Sequence, residues 1–197
     1  MKRVLAAITA LGLAGVLAAC GGGDNKDATS ANTGAAVIQV GSVYEPQNLD
    51  NTAGGGQGVT EALNGNVYEG LFKLTDTGAV EPLLARDRKV SDDGLTYTFT
   101  LRPNVKFHSG KALTSADVKA SIERVTAANS KSARKSNLEV VKEITTPDDS
   151  TVVVKLKQRS ISFVYNLSYV WIMNSQAKEF TTTEDGTGPY KLGEWKR

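Results

Sequence analysis

The sequence has little of what most enzymes use at their active sites. Its 197 residues include one cysteine, Cys20, and one histidine, His108. A single thiol cannot form an internal disulfide, so the fold must be stabilised by its core. One histidine and one distant cysteine supply no cluster of transition-metal ligands, and we predict no metal and no cofactor.

Two common catalytic and phosphate-binding motifs are also missing. No Gly-x-Ser-x-Gly elbow is present to support a serine nucleophile. The glycine-rich stretch at 54–58 has neither the Gly-Lys-Ser/Thr ending of a phosphate loop nor the Gly-x-Gly-x-x-Gly spacing of a dinucleotide site. His108 lies in a predicted turn, where we expect a solvated side chain. A secreted hydrolase is therefore the weakest hypothesis, and we predict that the chain is not an enzyme.

The sequence also has little excess of charge. It contains 23 basic and 21 acidic residues, a formal net charge of +2, and Lys2 and Arg3 account for that excess. We find no basic patch of the kind that binds nucleic acid or an anionic membrane surface. We predict no nucleic-acid partner.

A long hydrophobic run occurs only at the N-terminus. Lys2 and Arg3 precede an apolar stretch over 4–16, which is typical of a secretory signal and too short for a stable membrane-spanning helix. We predict a signal peptide over residues 1–19. Leu17-Ala18-Ala19-Cys20 resembles the bacterial lipobox, which implies cleavage before Cys20 and lipidation of its thiol. An ordinary signal peptide with a chance cysteine is the alternative.

The segment after the cysteine cannot form a core. Residues 20–36 carry no large apolar side chain beyond the cysteine itself, and we predict a flexible tether that starts at lipidated Cys20. The folded region is predicted to span residues 37–197.

Hydrophobic periodicity predicts both helices and strands in this region. The clearest alternation is Leu95-Thr96-Tyr97-Thr98-Phe99-Thr100-Leu101, in which every second residue is apolar. Because no regular strand–helix repeat is present, we expect a mixed α/β fold with a mixed sheet rather than a nucleotide-binding fold. The predicted strands are 37–43, 86–90, 95–101, 140–144, 151–156, 170–173 and a final one after the Gly186–Tyr190 turn. The predicted helices start near Val59, near Thr114 and near Ile161, and 127–137 is predicted to be an exposed loop.

Six stretches, in order, carry a family resemblance. They are Val67-Tyr68-Glu69-Gly70-Leu71-Phe72, Pro82-Leu83-Leu84-Ala85, 90–99, 101–110, Leu113-Thr114-Ser115-Ala116-Asp117-Val118 and Gly186-Thr187-Gly188-Pro189-Tyr190. Together they resemble the solute-binding proteins of bacterial ABC importers, of the family 5 type that binds peptides, nickel complexes and some oligosaccharides. The chain departs from the family pattern at Arg86-Asp87-Arg88, where a tryptophan is usual, and at Asn104 and Ser109, where Gly and Asp are frequent.

The resemblance implies a fold and a role. Members of this family are far longer and fold as two lobes joined by a hinge. The resemblance therefore implies that 37–197 is the incomplete N-terminal lobe of a periplasmic-binding-protein-like fold, with the second lobe absent. It also implies a monomeric, extracytoplasmic, lipid-anchored receptor that delivers an oligopeptide or related small solute to an ABC permease and ATPase. The alternatives are a non-transporting surface lipoprotein that serves as an interaction module, or a non-functional fragment.

Eight residues are candidates for ligand contact. In the resembling family the loop after the first strand faces the ligand, which implies contacts from Thr52, Gly54, Gly55, Gly56 and Gln57. Glycines would let the backbone approach an extended ligand, although they could equally form a flexible turn. The other candidates, Tyr169, Trp171 and Asn174, lie in an apolar segment, where aromatic walls suit a peptide pocket but Trp171 could instead belong to the core.

Overall fold

A computed structural model of the chain describes residues 37–54 and 56–196. The predictions for the signal peptide at 1–19, for Cys20 and its tether at 20–36, and for Gly55 therefore lie outside the described residues.

Within the described residues, helices and short strands are mixed, which confirms the predicted fold class. The helices are α1 (Gly56–Leu63), α2 (Ser115–Thr126), α3 (Lys135–Leu138) and α4 (Phe163–Leu167). The strands are β1 (Phe72–Leu74), β2 (Val80–Pro82), β3 (Ala85–Val90), β4 (Thr96–Leu101), β5 (Val141–Asp148) and β6 (Thr151–Leu156). The strands form a two-stranded sheet of β1 and β2 and a four-stranded sheet in the order β3-β4-β6-β5, with antiparallel pairing throughout.

The predicted strands at 86–90, 95–101, 140–144 and 151–156 are confirmed and form two antiparallel hairpins. The strands β3 and β4 pair with Lys89 opposite Thr98, and β5 and β6 pair with Ile144 opposite Val154. Along β4, burial alternates as the sequence predicts, because successive side chains of a strand point to opposite faces of the sheet. Tyr97 and Phe99 are buried, whereas Thr98 between them is only partly buried.

Helix α2 covers the apolar face of this sheet. Its stripe of Val118, Ile122 and Val125 is almost fully buried, as its three- and four-residue spacing predicts. The helix begins after Thr114, whose backbone N–H donates to the carboxylate of Asp117 at 2.9 Å. This is the backward contact of a capping box.

Two hydrophobic clusters make up the core. The sheet core comprises the inner faces of the strands, α2 and α4. The loop core comprises Leu49, Val59, Leu63, Val67, Tyr68, Trp171 and Met173, with Phe180, Leu192 and Trp195 packed against it. Residues 170–173 lie between the two, since Val170 and Ile172 belong to the sheet core and Trp171 and Met173 to the loop core.

Three predicted strands are wrong. Residues 37–43 form no strand, and Val37, Ile38, Val40 and Val43 are 80–90% exposed. A β-branched run becomes a strand only beside a partner for its backbone groups, and no strand within the described residues pairs with it. The segment 170–173 is buried on both sides without joining a sheet, and 189–196 also forms no strand.

The predicted first helix is shorter than its apolar spacing suggests. Helix α1 ends at Leu63, and the chain turns at Gly65, where φ is +76° and the N–H donates to the carbonyl of Tyr68. A positive φ cannot continue a right-handed helix. Val67 and Leu71 are therefore buried by a turn and an extended segment, not by a helical face.

No helix among residues 37–54 and 56–196 has the length and apolar character needed to cross a membrane.

Candidate ligand-binding site

An open cavity of about 320 Å³ lies between the loop that precedes α1 and the segment that follows α2. Its lining combines glycine backbone, two aromatic rings and two basic side chains. The lining residues are Asn51, Gly54, Gly56, Val59, Thr60, Lys131, Ser132, Ala133, Arg134, Tyr169 and Trp171.

Trp171 forms part of the cavity wall and is held rigidly by the core. It is only 3% exposed, and its ring stacks on Tyr68 with the ring centroids 4.9 Å apart. Its indole N–H donates to the side-chain oxygen of Asn64 at 2.8 Å. Burial, reinforced by the nearby charge of Glu184, raises the pKa of Tyr68 above its ordinary range, so this stacking partner stays neutral.

Tyr169 lines the cavity, and the guanidinium group of Arg134 stacks on its ring. The guanidinium carbon of Arg134 lies 3.9 Å from the centre of the Tyr169 ring, which is the geometry of a cation–π contact. The hydroxyl groups of Tyr169 and Tyr165 are 3.3 Å apart. This hydrogen bond and partial burial raise the pKa of Tyr169, while the charge of Arg134 acts in the opposite direction. Tyr169 is therefore a neutral platform that orients Arg134.

Lys131 joins the two sides of the cavity. Its backbone N–H donates to the carbonyl of Thr52 at 2.8 Å. The aliphatic part of its side chain lies against Gly54, where an added Cβ would come within 3.3 Å of the Lys131 Cδ. Gly54 also has a φ of +82°, which favours glycine at this position. The loop and the lysine stem are thus packed against each other.

An ion pair between Asp50 and Arg124 holds the loop that precedes α1 in place. The carboxylate of Asp50 accepts from the backbone N–H and the hydroxyl of Thr52, both at 2.8 Å, and from the Arg124 guanidinium at 2.7 Å. The guanidinium of Arg124 also stacks on the ring of Phe180 at 3.7 Å. Because these groups tie the loop to α2, the position of residues 50–54 is fixed by the fold.

Four of the predicted ligand-contact residues meet at this cavity: Gly54, Gly56, Tyr169 and Trp171. Thr52 lies next to them and lines a second cavity of about 420 Å³ on the other side of the same loop. The two cavities share Lys131 as a wall. The binding roles of these residues stay predictions.

The remaining predicted residues lie elsewhere. The side-chain amide of Gln57 donates to Glu61 at 2.7 Å and does not line the cavity. Asn174 is buried and donates to Asp185 at 2.7 Å, beside a separate surface depression. Gly55 is not among the described residues.

Sequence reasoning missed Lys131 and Arg134, which contribute the charge of the cavity. Both lie in the basic stretch 127–137, which was predicted to be an exposed loop because it lacks apolar residues. The only feature of the sequence that could have indicated a role for Lys131 and Arg134 is their position in the segment that follows the amphipathic helix α2. That signal alone does not reveal which surface the loop approaches.

The prediction of a solvated His108 is wrong. Its side chain is only 10% exposed, and its Nδ1 lies 2.7 Å from the carboxylate of Glu184, which is 8% exposed. Its Nε2 lies 2.8 Å from the carbonyl oxygen of Gly188. Both partners are about 80 positions later in the chain, which a turn prediction cannot anticipate. His108 fastens the 184–188 segment to the lobe and does not line the cavity.

The cavity offers three kinds of group that can bind a ligand. Its rings provide apolar contact area, its glycine segment provides backbone groups, and its two cations provide charge. Within residues 37–54 and 56–196, no group of three or more His, Cys, Asp or Glu side chains is placed to hold a metal ion.

Sequence comparison identifies a family whose model matches more than half of the chain and includes one side of the cavity. The model of the bacterial extracellular solute-binding proteins, family 5 middle region, matches residues 79–197. The chain is 32% identical over 200 residues to the glutathione-binding protein GsiB of Salmonella typhi, and the match covers 96% of this chain and 36% of that protein. The chain thus spans little more than a third of the length of the curated relatives it matches.

Two solved structures have a closely similar backbone. The oligopeptide-binding protein AppA of Bacillus subtilis, in complex with a nonapeptide, gives a TM-score of 0.71 at 29% identity over 79% of this chain and 33% of that one. The binding protein AgaA of A. tumefaciens R10, in complex with agropinic acid, gives a TM-score of 0.70 at 34% identity over 78% of this chain and 32% of that one. The described residues therefore correspond to part of a lobe of such binding proteins.

Proposed function

The chain belongs to the bacterial extracellular solute-binding proteins of family 5, and from this premise we propose that it captures an oligopeptide or related small solute outside the cytoplasm. The captured solute is delivered to an ABC permease and its ATPase. One observation carries the proposal: glycines from the loop before α1 and aromatic rings from residues 169–171, far apart in sequence, meet around one open cavity.

The chemistry of the cavity supports capture of a solute without its conversion. Backbone groups near Gly54 and Gly56 suit the main chain of an extended peptide, and the rings of Tyr169 and Trp171 supply apolar contact area. The relatives named above bind glutathione, a nonapeptide and agropinic acid. This range supports a small organic solute for this chain.

In this proposal the described residues supply one side of the binding cleft. The cavity is open, and a ligand that contacts only these residues keeps one face in water. We propose that a second lobe, outside the 197 residues, closes over the ligand, and that the permease recognises the closed form. Capture is then a population shift toward closure driven by ligand contacts on both sides.

We also propose that lipidated Cys20 holds the protein at the membrane. The support is the Leu17-Ala18-Ala19-Cys20 stretch, which places the only cysteine of the chain at the predicted cleavage point. Residues 20–36 would then act as a tether that lets the folded part reach both solute and permease.

One experiment tests these proposals together. The gene is first sequenced beyond Arg197, and the product is expressed through any in-frame continuation. The product is then purified from the membrane fraction. The Cys20→Ser variant should be absent from that fraction. Isothermal titration with a pool of tripeptides to pentapeptides should give binding by the continued product and no measurable heat with the 197 residues alone.

The outcomes are distinct. Failure of the gene product to bind any peptide, whatever its length, would contradict the receptor function. Micromolar binding by the 197 residues alone would contradict the two-sided cleft but support capture. A Cys20→Ser variant that stays in the membrane fraction would contradict the lipid anchor only.

A further inference from the structure

We propose that His108 is a pH-sensitive latch, which holds segment 184–191 against the lobe while its ring is protonated and loosens that segment as the pH rises. This inference goes beyond solute capture, and His108 does not line the ligand cavity. It starts from the contacts of the only histidine in the chain.

Every polar group of His108 contacts the same segment. Its backbone N–H donates to the carbonyl of Gly186 at 2.8 Å, and its own carbonyl accepts from the ammonium of Lys191 at 3.0 Å. On its ring, Nδ1 lies 2.7 Å from the Glu184 carboxylate and Nε2 lies 2.8 Å from the Gly188 carbonyl oxygen. One residue therefore connects the segment to the lobe through both its backbone and its side chain.

Both ring nitrogens of His108 face acceptor oxygens. A carbonyl oxygen cannot donate, so the contact with Gly188 requires a proton on Nε2. The two oxygens of Glu184 also accept from the backbone N–H groups of Gly186 at 3.1 Å and Leu192 at 3.3 Å, which is the pattern of an ionised carboxylate. The contact with Glu184 then requires a proton on Nδ1. Because a neutral imidazole has only one N–H, the geometry fits the doubly protonated, positively charged ring.

The charges around His108 match a positive ring. The surface depression beside it is lined by three carboxylates and two ammonium groups, which belong to Glu179, Glu184, Asp185, Lys178 and Lys191. Tyr68 is also close to Glu184, but burial raises the pKa of its hydroxyl and keeps it neutral. Lys111, a few positions after His108, is already paired with Asp117. A protonated His108 therefore balances the charge of the groups that line the depression.

Loss of one proton breaks this arrangement at one of its two ends. A neutral ring donates from a single nitrogen, so the other nitrogen meets an oxygen with no proton between them, and that contact must lengthen. The charge of a histidine ordinarily changes between about pH 5 and 8. Because both contacts form only with the protonated ring, their contribution is present at mildly acidic pH and is lost as the pH rises.

The loosened contact exposes hydrogen bonds that can be followed one by one. The N–H of Gly188 donates to the carbonyl of Val67, and the N–H of Tyr190 donates to the carbonyl of Asn66, both at 3.0 Å. These two amides lie on the segment that His108 holds. Their protection from hydrogen exchange therefore reports directly on the latch.

Two measurements on the purified 197-residue chain, produced without a histidine tag, test the latch. Nitrogen-15 NMR of the His108 ring should show a proton on both nitrogens at pH 6 and on only one at pH 8.5. Hydrogen exchange is measured at both pH values and corrected for the intrinsic effect of pH on the exchange rate. The protection of Gly188 and Tyr190 should fall about tenfold from pH 6 to pH 8.5, since a charge-assisted hydrogen bond contributes on that scale. Amides of α2, such as Ile122 and Val125, are the internal reference and should change less than twofold.

Two variants assign the pH effect to the pair of His108 and Glu184. His108→Gln keeps one N–H donor group and cannot become charged, and Glu184→Gln removes the carboxylate at nearly constant size. In each variant the protection of Gly188 and Tyr190 should no longer depend on pH. Lys178→Met is the matched control, because Lys178 is exposed in the same depression and is not a hydrogen-bond partner of the ring. It should retain the tenfold change.

Each outcome decides for or against the latch. Equal protection of Gly188 and Tyr190 at pH 6 and pH 8.5 would overturn it, as would a tenfold change that survives in both His108→Gln and Glu184→Gln. An equal loss of protection in α2 would also overturn it, because the whole lobe would then loosen together. If neither variant folds, the NMR spectrum of the parent chain decides, and a ring with one unprotonated nitrogen at pH 6 contradicts the proposal.

Discussion

At the scale of single residues, Asp117 has the densest set of contacts in the described structure. Its carboxylate is fully buried and accepts from the ammonium of Lys111, from the backbone and hydroxyl of Thr114, and from the backbone and hydroxyl of Ser175. Burial opposes ionisation, but the hydrogen bonds from Lys111, Ser175 and Thr114 together outweigh it and hold the pKa of Asp117 below its ordinary value of 3.8. The residue joins the start of α2 to the segment that follows 170–173.

We predict that Asp117→Asn lowers the free energy of unfolding by about 3 kcal/mol at pH 7, since it leaves a half-buried ammonium without its partner. Because the pKa of Asp117 is lower in the folded than in the unfolded state, its contribution is present above pH 4 and is lost as the pH falls through the folded pKa. Urea unfolding at pH 7 and at pH 3 measures both effects.

The control for this prediction is Asp76→Asn, which removes the same charge from an exposed turn. Its free energy of unfolding should stay within about 0.5 kcal/mol of the parent chain. A difference between Asp117→Asn and the parent that is the same at pH 3 as at pH 7 would show that the charge of Asp117 contributes nothing.

Contacts between side chains that are far apart in the sequence were the hardest to predict. The sequence correctly predicts that a helix starts near Thr114, where Asp117 and Thr114 form a local capping box. It does not predict that Ser175 bonds the same carboxylate, or that His108 pairs with Glu184, since those contacts exist only after the chain has folded. The cavity cations were missed for the same reason.

At the scale of elements, predictions succeeded where a local pattern determines the structure. The alternation along β4 and the spacing along α2 fix which face is buried, and both elements form as predicted. The runs at 37–43 and 170–173 are equally apolar, but a strand depends on partners outside itself. Neither run has a strand partner within the described residues.

The segment 186–188 packs closely against the backbone of residues 66–67. A Cβ added at Gly186 would overlap the carbonyl of Val67, and one at Gly188 would overlap that of Asn66. The N–H of Gly188 donates to the Val67 carbonyl at 3.0 Å, and the Gly186 carbonyl accepts from the N–H of His108 at 2.8 Å. The absence of side chains is therefore what allows this segment to pack on residues 66–67.

We predict that Gly186→Ala destabilises the fold by about 2 kcal/mol, the typical penalty for overpacking against atoms that cannot move aside. Thermal unfolding followed by circular dichroism measures it. Gly193→Ala is the control, because no atom lies within 4 Å of the position its Cβ would take. Equal melting temperatures for the two variants would show that segment 186–188 is not packed on 66–67.

At the scale of the whole molecule, residues 170–173 join the two cores. The backbone of Ile172 donates to the Glu69 carbonyl at 2.9 Å, and that of Met173 donates to the hydroxyl of Ser121 at 2.9 Å. Adjacent side chains of one extended segment thus enter different clusters. This arrangement couples the sheet core to the loop core.

We predict that the two cores unfold together. In a urea titration, the fluorescence of Trp171 reports on the loop core and far-ultraviolet circular dichroism reports on the strands, and their midpoints should coincide. Ile172→Ala, which removes a fully buried side chain, should lower both midpoints equally and destabilise the fold by about 3 kcal/mol. All samples carry the substitution Trp195→Phe, so that the measured tryptophan fluorescence comes from Trp171.

Val90→Ala is the control for this experiment, because Val90 is 45% exposed at the end of an edge strand. Its two midpoints should lie close to those of the parent chain. Separate midpoints for fluorescence and circular dichroism, in the parent or in Ile172→Ala, would show that the cores are independent.

The family could be predicted from sequence although three of the predicted strands were wrong. The resembling stretches include Leu113–Val118, where α2 is capped, and Gly186–Tyr190, whose glycines allow close approach to residues 66–67. The cavity-lining residues Lys131 and Arg134 belong to no such stretch, so only part of the cavity could be predicted.

If the cavity binds solute as proposed, the double role of Trp171 restricts how solute preference can change during evolution or in the laboratory. Its ring is at once a wall of the cavity and a stacked member of the loop core with Tyr68. Substitutions of Trp171 would destabilise the fold, so that most variants would be lost before a new solute preference could be selected. In the proposed function, changes of solute preference are therefore expected at positions 51, 131 and 134, which line the cavity and belong to neither hydrophobic cluster.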